Sequence, residues 1–85
     1  MQQHIYYIKF AQHFAVMSIS QLVSNFNDQV QNRGWSSMRA YHDCALIDAF
    51  RQRGIDISCI HNGNSISFAH RVEYDAVHHQ LITIA

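Results

Sequence analysis

Apolar and polar positions change rhythm several times along the chain, and each change marks an element. In "MSISQLVSNFNDQV" the apolar residues Ile19, Leu22, Val23, Phe26 and Val30 recur at helical spacing. Ser24, Asn25, Asn27, Asp28 and Gln31 fall on the opposite, polar face. Ser18 stands three residues before Gln21, the pairing of a capping box, with Met17 and Leu22 placed as a hydrophobic staple. The spacing predicts an amphipathic helix ending near Asn32, with Gly34 as a residue suited to a left-handed exit. A second helix is predicted from Ser36 or Ser37 to Arg53, stopped by Gly54. Cys44, Leu46, Ile47 and Phe50 occupy one side of it, and Met38, Tyr41, Ala45 and Ala49 another. A helix apolar on two sides is covered on two sides, and the small Ala pair suits the close approach of another helix or of a partner subunit.

The flanking segments read differently. In "HIYYIKFAQHF" the branched and aromatic residues favour a strand, yet Tyr7, Phe10, Ala11 and Phe14 also fit one face of a helix. The weight of aromatic and branched residues predicts a strand from about His4 to Phe10. In "IDISCIHNGNSISF" the pair Asn62-Gly63 suits a two-residue hairpin turn. Folding about it sets Cys59 opposite Ile66 and Ile57 opposite Phe68, on one apolar face. A last strand is predicted over about Gln80 to Ile84, beside the N-terminal one. The order strand, helix, helix, hairpin, strand predicts an α+β fold, two helices packed on a small antiparallel sheet. Without repeats, linkers or proline, residues 1–85 read as a single domain.

Composition narrows the function. The chain is 48% hydrophobic but only 14% charged, so Gln, Asn, Ser and His supply most of the polar surface. Such a surface is weakly self-repelling, and a chain of 85 residues gains stability by pairing; a homodimer is expected. Six basic residues balance six acidic ones, which counts against nucleic acid. No apolar run is long enough for a membrane span, and the first residues lack the pattern of a signal peptide. A cytoplasmic protein with two buried thiols, Cys44 and Cys59, is the expectation.

Candidate chemistry is thin. His42, Asp43 and Cys44 are adjacent on a helix, where neighbouring side chains diverge by about 100° and cannot form a relay; Cys44 is expected in the core and His42 at the surface. Cys59 and His61 would share a strand face, but two ligands make no zinc site. No catalytic residue, metal site or cofactor is expected, and the chain is not read as an enzyme. Trp35 either packs over the corner or anchors a protein interface.

Two helices joined by a Gly-containing corner and followed by an Asn-Gly hairpin resemble a winged helix-turn-helix over roughly residues 17–68. "SISQL" is similar to the start of the positioning helix in the N-terminal module of biotin-ligase repressors. "SSMRA" resembles the entry to a recognition helix, and "AFRQRGIDI" its exit into the wing. The resemblance implies that Ser36, Ser37, Arg39 and His42 face base edges, that Arg33 lies near a phosphate, and that Asn62 and Asn64 lie at the wing tip. Arginines paired instead with Asp28, Asp43 and Asp48 would point away from DNA. The function expected is a small non-catalytic binding or regulatory module acting through protein–protein interaction or self-association; the alternative is a winged-helix-like DNA-binding regulator.

Overall fold

The computed structural model describes residues 4–30, 32, 34 and 36–84. It is an α+β fold of three helices followed by a two-stranded antiparallel sheet: α1 Ile5–Ala15, α2 Ile19–Asp28, α3 Ser37–Gln52, β1 Val72–Asp75 and β2 Gln80–Thr83. No helix among the described residues is long and apolar enough to cross a membrane.

The first element corrects the predicted strand. His4 caps α1, its Nδ1 accepting the Tyr6 N–H at 3.2 Å. The stripe of Tyr7, Phe10, Ala11 and Phe14 packs on the core, with Phe14 fully buried. Local preference for strand yields here to burial against α3, whose Ala45 and Ala49 line a small cavity together with Ala11 and Ala15 of α1. The small-residue face of α3 is therefore covered from within the chain, by a helix.

α2 follows its pattern closely. Ser18 Oγ accepts the Gln21 N–H at 3.1 Å while the Gln21 side chain accepts the Ser18 N–H at 2.8 Å. Leu22 and Phe26 are fully buried, and Ile19, Val23 and Val30 pack beside them. The helix ends at Asp28, four residues before the predicted Asn32, with the buried Gln29 as its C-cap. Asn27, expected on the polar face, holds β1 instead. Its Oδ1 accepts the Val72 N–H at 2.8 Å, and its Nδ2 donates to the Val72 carbonyl at 3.0 Å. One amide thus stands in for a strand neighbour along that edge.

α3 begins and stops where its caps sit. Ser36 Oγ accepts the Arg39 N–H at 3.2 Å. At the other end Ile55 N–H bonds to the Phe50 carbonyl and Gly54 N–H to that of Arg51, with Gly54 at φ 72°. This is the Schellman exit that glycine permits. Leu46, Ile47 and Phe50 are buried as expected, but Cys44 and Met38 are exposed.

Beyond Ile57 the predicted hairpin gives way. Asp56 Oδ1 accepts the Ser58 N–H at 2.8 Å and turns the chain, so that Ile60 and His61 bond back to the Ile57 carbonyl. Ile57 and Ile60 face the core three residues apart, where strand alternation would have placed Cys59. Around Asn62-Gly63 there is only an isolated pairing of His61 with Ile66. Asn62 Oδ1 accepts the Asn64 and Ser65 N–H groups, an Asx-type turn spanning a four-residue tip. The strand partner of β2 is β1, with Val72 opposite Thr83, and not the N-terminal segment. On its other edge β2 is bracketed by Asp56, which donates to the His79 carbonyl at 2.8 Å and accepts from Leu81 at 2.9 Å.

Candidate functional site

The corner between α2 and α3 is closed by Arg39. Its Nε donates to Gln29 Oε1 at 3.2 Å. One terminal nitrogen donates to the Asn32 and Gly34 carbonyls, the other to that of Gln29 at 3.3 Å. The guanidinium lies 5.0 Å from the centre of the Phe68 ring, itself stacked on Phe26. Arg39 thus holds the C-cap residue of α2, Gln29, by both its carbonyl and its side chain, together with the Asn32 and Gly34 carbonyls beyond the helix.

Asp43, one turn further along α3, is 3% exposed and so belongs to the core, not to a reading face. Its Oδ1 lies 3.1 Å from His42 Nδ1. Its Oδ2 lies 3.4 Å from Arg39 Nε, an ion-pair distance, but that N–H points at Gln29, and Oδ2 makes no hydrogen bond. His42 is half-buried, not at the surface as expected; the Phe10 and Phe14 rings meet its imidazole edge-on. Gln29 Nε2 also approaches Nδ1 at 3.4 Å; the shorter contact with the carboxylate places the proton on Nδ1.

A groove of about 520 Å³ opens beside this network, between α3 and residues 61–68. Asp43, Cys44, Ala40, His61, Ile66 and Phe68 are on its walls. His61 Nδ1 accepts the Gly63 N–H at 3.1 Å and lies 3.0 Å from an Arg51 nitrogen, so the neutral ring carries its proton on Nε2. Arg51 also reaches Asp48 at 3.9 Å. Asp48 accepts the Tyr7 hydroxyl, a bond that, with burial and the carboxylate charge, pushes the Tyr7 pKa up to about 12.

A second surface lies where the first turns of α1 and α3 meet. His4 stacks on Tyr41 with ring centres 4.1 Å apart, and Tyr6 leans on Tyr41 at 6.1 Å. Beside them Phe10, Met38 and His42 line a shallow, open depression. Ile5, Tyr6 and Met38 are 55%, 41% and 43% exposed.

Of the described positions singled out in the sequence as partner or nucleic-acid contacts, Arg39 and Asn64 line the groove together, and the others are not on it. Arg39 and His42 are built into the interior network. Ser36 caps α3, Ser37 is exposed at its start, Asn62 shapes a loop tip, and Asn64 is exposed on the groove rim. Arg33 and Trp35 lie outside the described residues. The arginine–aspartate pairs that would point away from DNA are present at Arg39–Asp43 and Arg51–Asp48, while Arg53 donates to the Phe14 carbonyl. Cys59 is also exposed, contrary to the expected buried thiol. It donates to the Leu81 carbonyl at 3.0 Å, and partial burial pushes its thiol pKa up. Among the described residues no three His, Cys, Asp or Glu side chains gather into a metal-holding group.

Sequence reasoning missed Gln29 and the Tyr7–Asp48 bond, and it named Asp43 as a possible arginine partner without placing it in the interior. Only the i, i+4 spacing of Arg39 and Asp43 carried a local signal for any of them. No family model, curated protein or solved structure matches the chain.

Proposed function

We propose that this chain is a small non-catalytic binding module that acts through protein association, in the first instance with a second copy of itself. The observation that carries the reading is the aromatic and methionine surface formed by Tyr6, Phe10, Met38 and Tyr41 at the meeting of α1 and α3. Aromatic and methionine side chains presented together supply large apolar area with few rotamers to freeze, the composition enriched at interface cores. A net charge of zero leaves little long-range repulsion between copies. The DNA-binding alternative has less support, because Arg39, its principal base-reading candidate, already donates to four acceptors of the α2–α3 corner.

Sedimentation equilibrium tests the reading. The protein is expected to dimerise reversibly at tens of micromolar, roughly the range of a modest interface, and Met38→Glu or Tyr6→Glu is expected to leave folded monomer. A wild-type protein that stays monomeric throughout, or variants that dimerise unchanged, would contradict it.

A further inference from the structure

The groove between α3 and residues 61–68 is a different surface from the association face, and its far wall meets α3 in two unlike ways. At one end Phe68 lies against the Arg39 guanidinium, 5.0 Å from the ring centre, and Arg39 is itself fixed by its hydrogen bonds to the corner. Neither of these side chains changes charge near neutral pH. About three turns further along α3, an Arg51 nitrogen lies 3.0 Å from His61 Nδ1. That contact depends on a titratable ring.

His61 Nδ1 is a crowded acceptor. It has a single lone pair, and two donors converge on it: the Gly63 N–H at 3.1 Å and Arg51, whose guanidinium can only donate. Both contacts require Nδ1 to be unprotonated. A proton there would set a donor against two donors, and an imidazolium against a guanidinium 3.0 Å away. Among the surrounding charged and titratable groups, Arg51 is the one in contact with the ring. Asp48 stands one step back, 3.9 Å from the other terminal nitrogen of Arg51. Arg39, Asp43 and Cys44 share the groove wall without a hydrogen bond to His61 among the described residues. Asp48 and water can therefore take Arg51 when His61 releases it, since the arginine is exposed.

We infer that His61 is a proton-operated latch on the groove. Neutral, the ring holds residues 61–66 against the C-terminal half of α3 through Arg51. Protonated at Nδ1, it lets go of Arg51 and of the Gly63 N–H, and this wall moves away from α3 while Phe68 stays against Arg39. The groove is then wider at its His61 end in acid than at neutral pH. The latch is independent of the association face.

The test is an NMR titration of the full chain from about pH 8 to about pH 5, the interval in which histidine side chains change charge. Ring-nitrogen spectra are expected to show His61 with its proton on Nε2 at the alkaline end. As the ring gains its further proton, the Gly63 amide proton is expected to move upfield, as on loss of a hydrogen bond. The Ile66 amide should shift with the same midpoint while that of Phe68 holds its position. His61→Gln, neutral throughout, is expected to lose this transition, and Arg51→Ala to bring the Ile66 amide near its acid position already at the alkaline end. Should either variant fail to fold, the wild-type titration decides alone. A proton on Nδ1 at the alkaline end, a ring that stays neutral to the acid end, or His61 protonation that leaves Ile66 unmoved would overturn the latch. So would the same transition in His61→Gln, which would assign it to Asp43, Asp48 or His42.

Discussion

The corner between α2 and α3 and the segment from Asp56 to Phe68 both turn the chain with polar side chains, but they do so in opposite ways. At the corner one long side chain, Arg39, reaches back ten residues to Gln29 and satisfies the end of another helix from inside the fold. In the later segment each turn is local. Asp56 serves Ser58, Asn62 serves Asn64 and Ser65, and these bonds are exposed. Shielded polar networks couple whole elements, whereas exposed Asx turns shape only their own few residues.

The largest effect expected from this contrast is at Arg39. Arg39→Ala removes four side-chain hydrogen bonds from the corner and leaves Asp43 buried with His42 as its one partner among the described residues, for a loss of about 3 kcal/mol in chemical denaturation. Arg39→Lys is expected to recover only part of it, because an ammonium cannot span the same acceptors. A loss under about 0.5 kcal/mol, the level of an ordinary surface change, would break the contrast.

Asn27 tests the same idea at the sheet. Asn27→Ala is expected to cost about 1–2 kcal/mol, because the Val72 N–H and carbonyl lose their partners. Asn27→Asp keeps an acceptor for the N–H but loses the donor, and should remain destabilised. Faster amide exchange in both β1 and β2 would show that the clasp supports the sheet.

These two residues show where the sequence is readable. Helix ends were legible at Ser18, at Gly54 and, as one of two adjacent serines, at Ser36, because a cap is a local event, decided within about four residues. The segment His4–Phe10 was not, since its strand preference is overcome by packing of the Tyr7, Phe10, Ala11 and Phe14 stripe on α3, remote in sequence. Asn62-Gly63 misled for a related reason. Asp56 bends the chain before a strand can form, leaving the favoured turn pair without strands to join. In the candidate sites Arg39 stood out, but its inward role depends on Gln29 and Phe68, which no local pattern connects to it. Asn27 looked like a solvent-facing residue for the same reason.

Smaller effects belong to the exposed turns. Asn62→Ala should cost under about 1 kcal/mol and alter amide shifts only near residues 61–66, leaving α3 unchanged. A global loss comparable with Arg39→Ala would erase the distinction between the two regions.

The Tyr7–Asp48 bond between α1 and α3 makes a prediction at alkaline pH. The folded pKa of about 12 exceeds the ordinary value of 10.0, so the folded chain holds this proton more tightly than the unfolded one. The stabilisation is complete below pH 10.0 and is lost as pH rises towards about 12. Tyrosinate absorbance should show one late-titrating tyrosine, absent in Tyr7→Phe, and that variant should lose less stability over the same window.

Association through the α1–α3 face is tested most directly by amide NMR spectra recorded over a dilution series. The account predicts concentration-dependent shifts at residues 5–10 and 38–41, with Asn62, Asn64 and the β2 amides unmoved. Spectra independent of concentration, or shifts centred on residues 61–68, would contradict it.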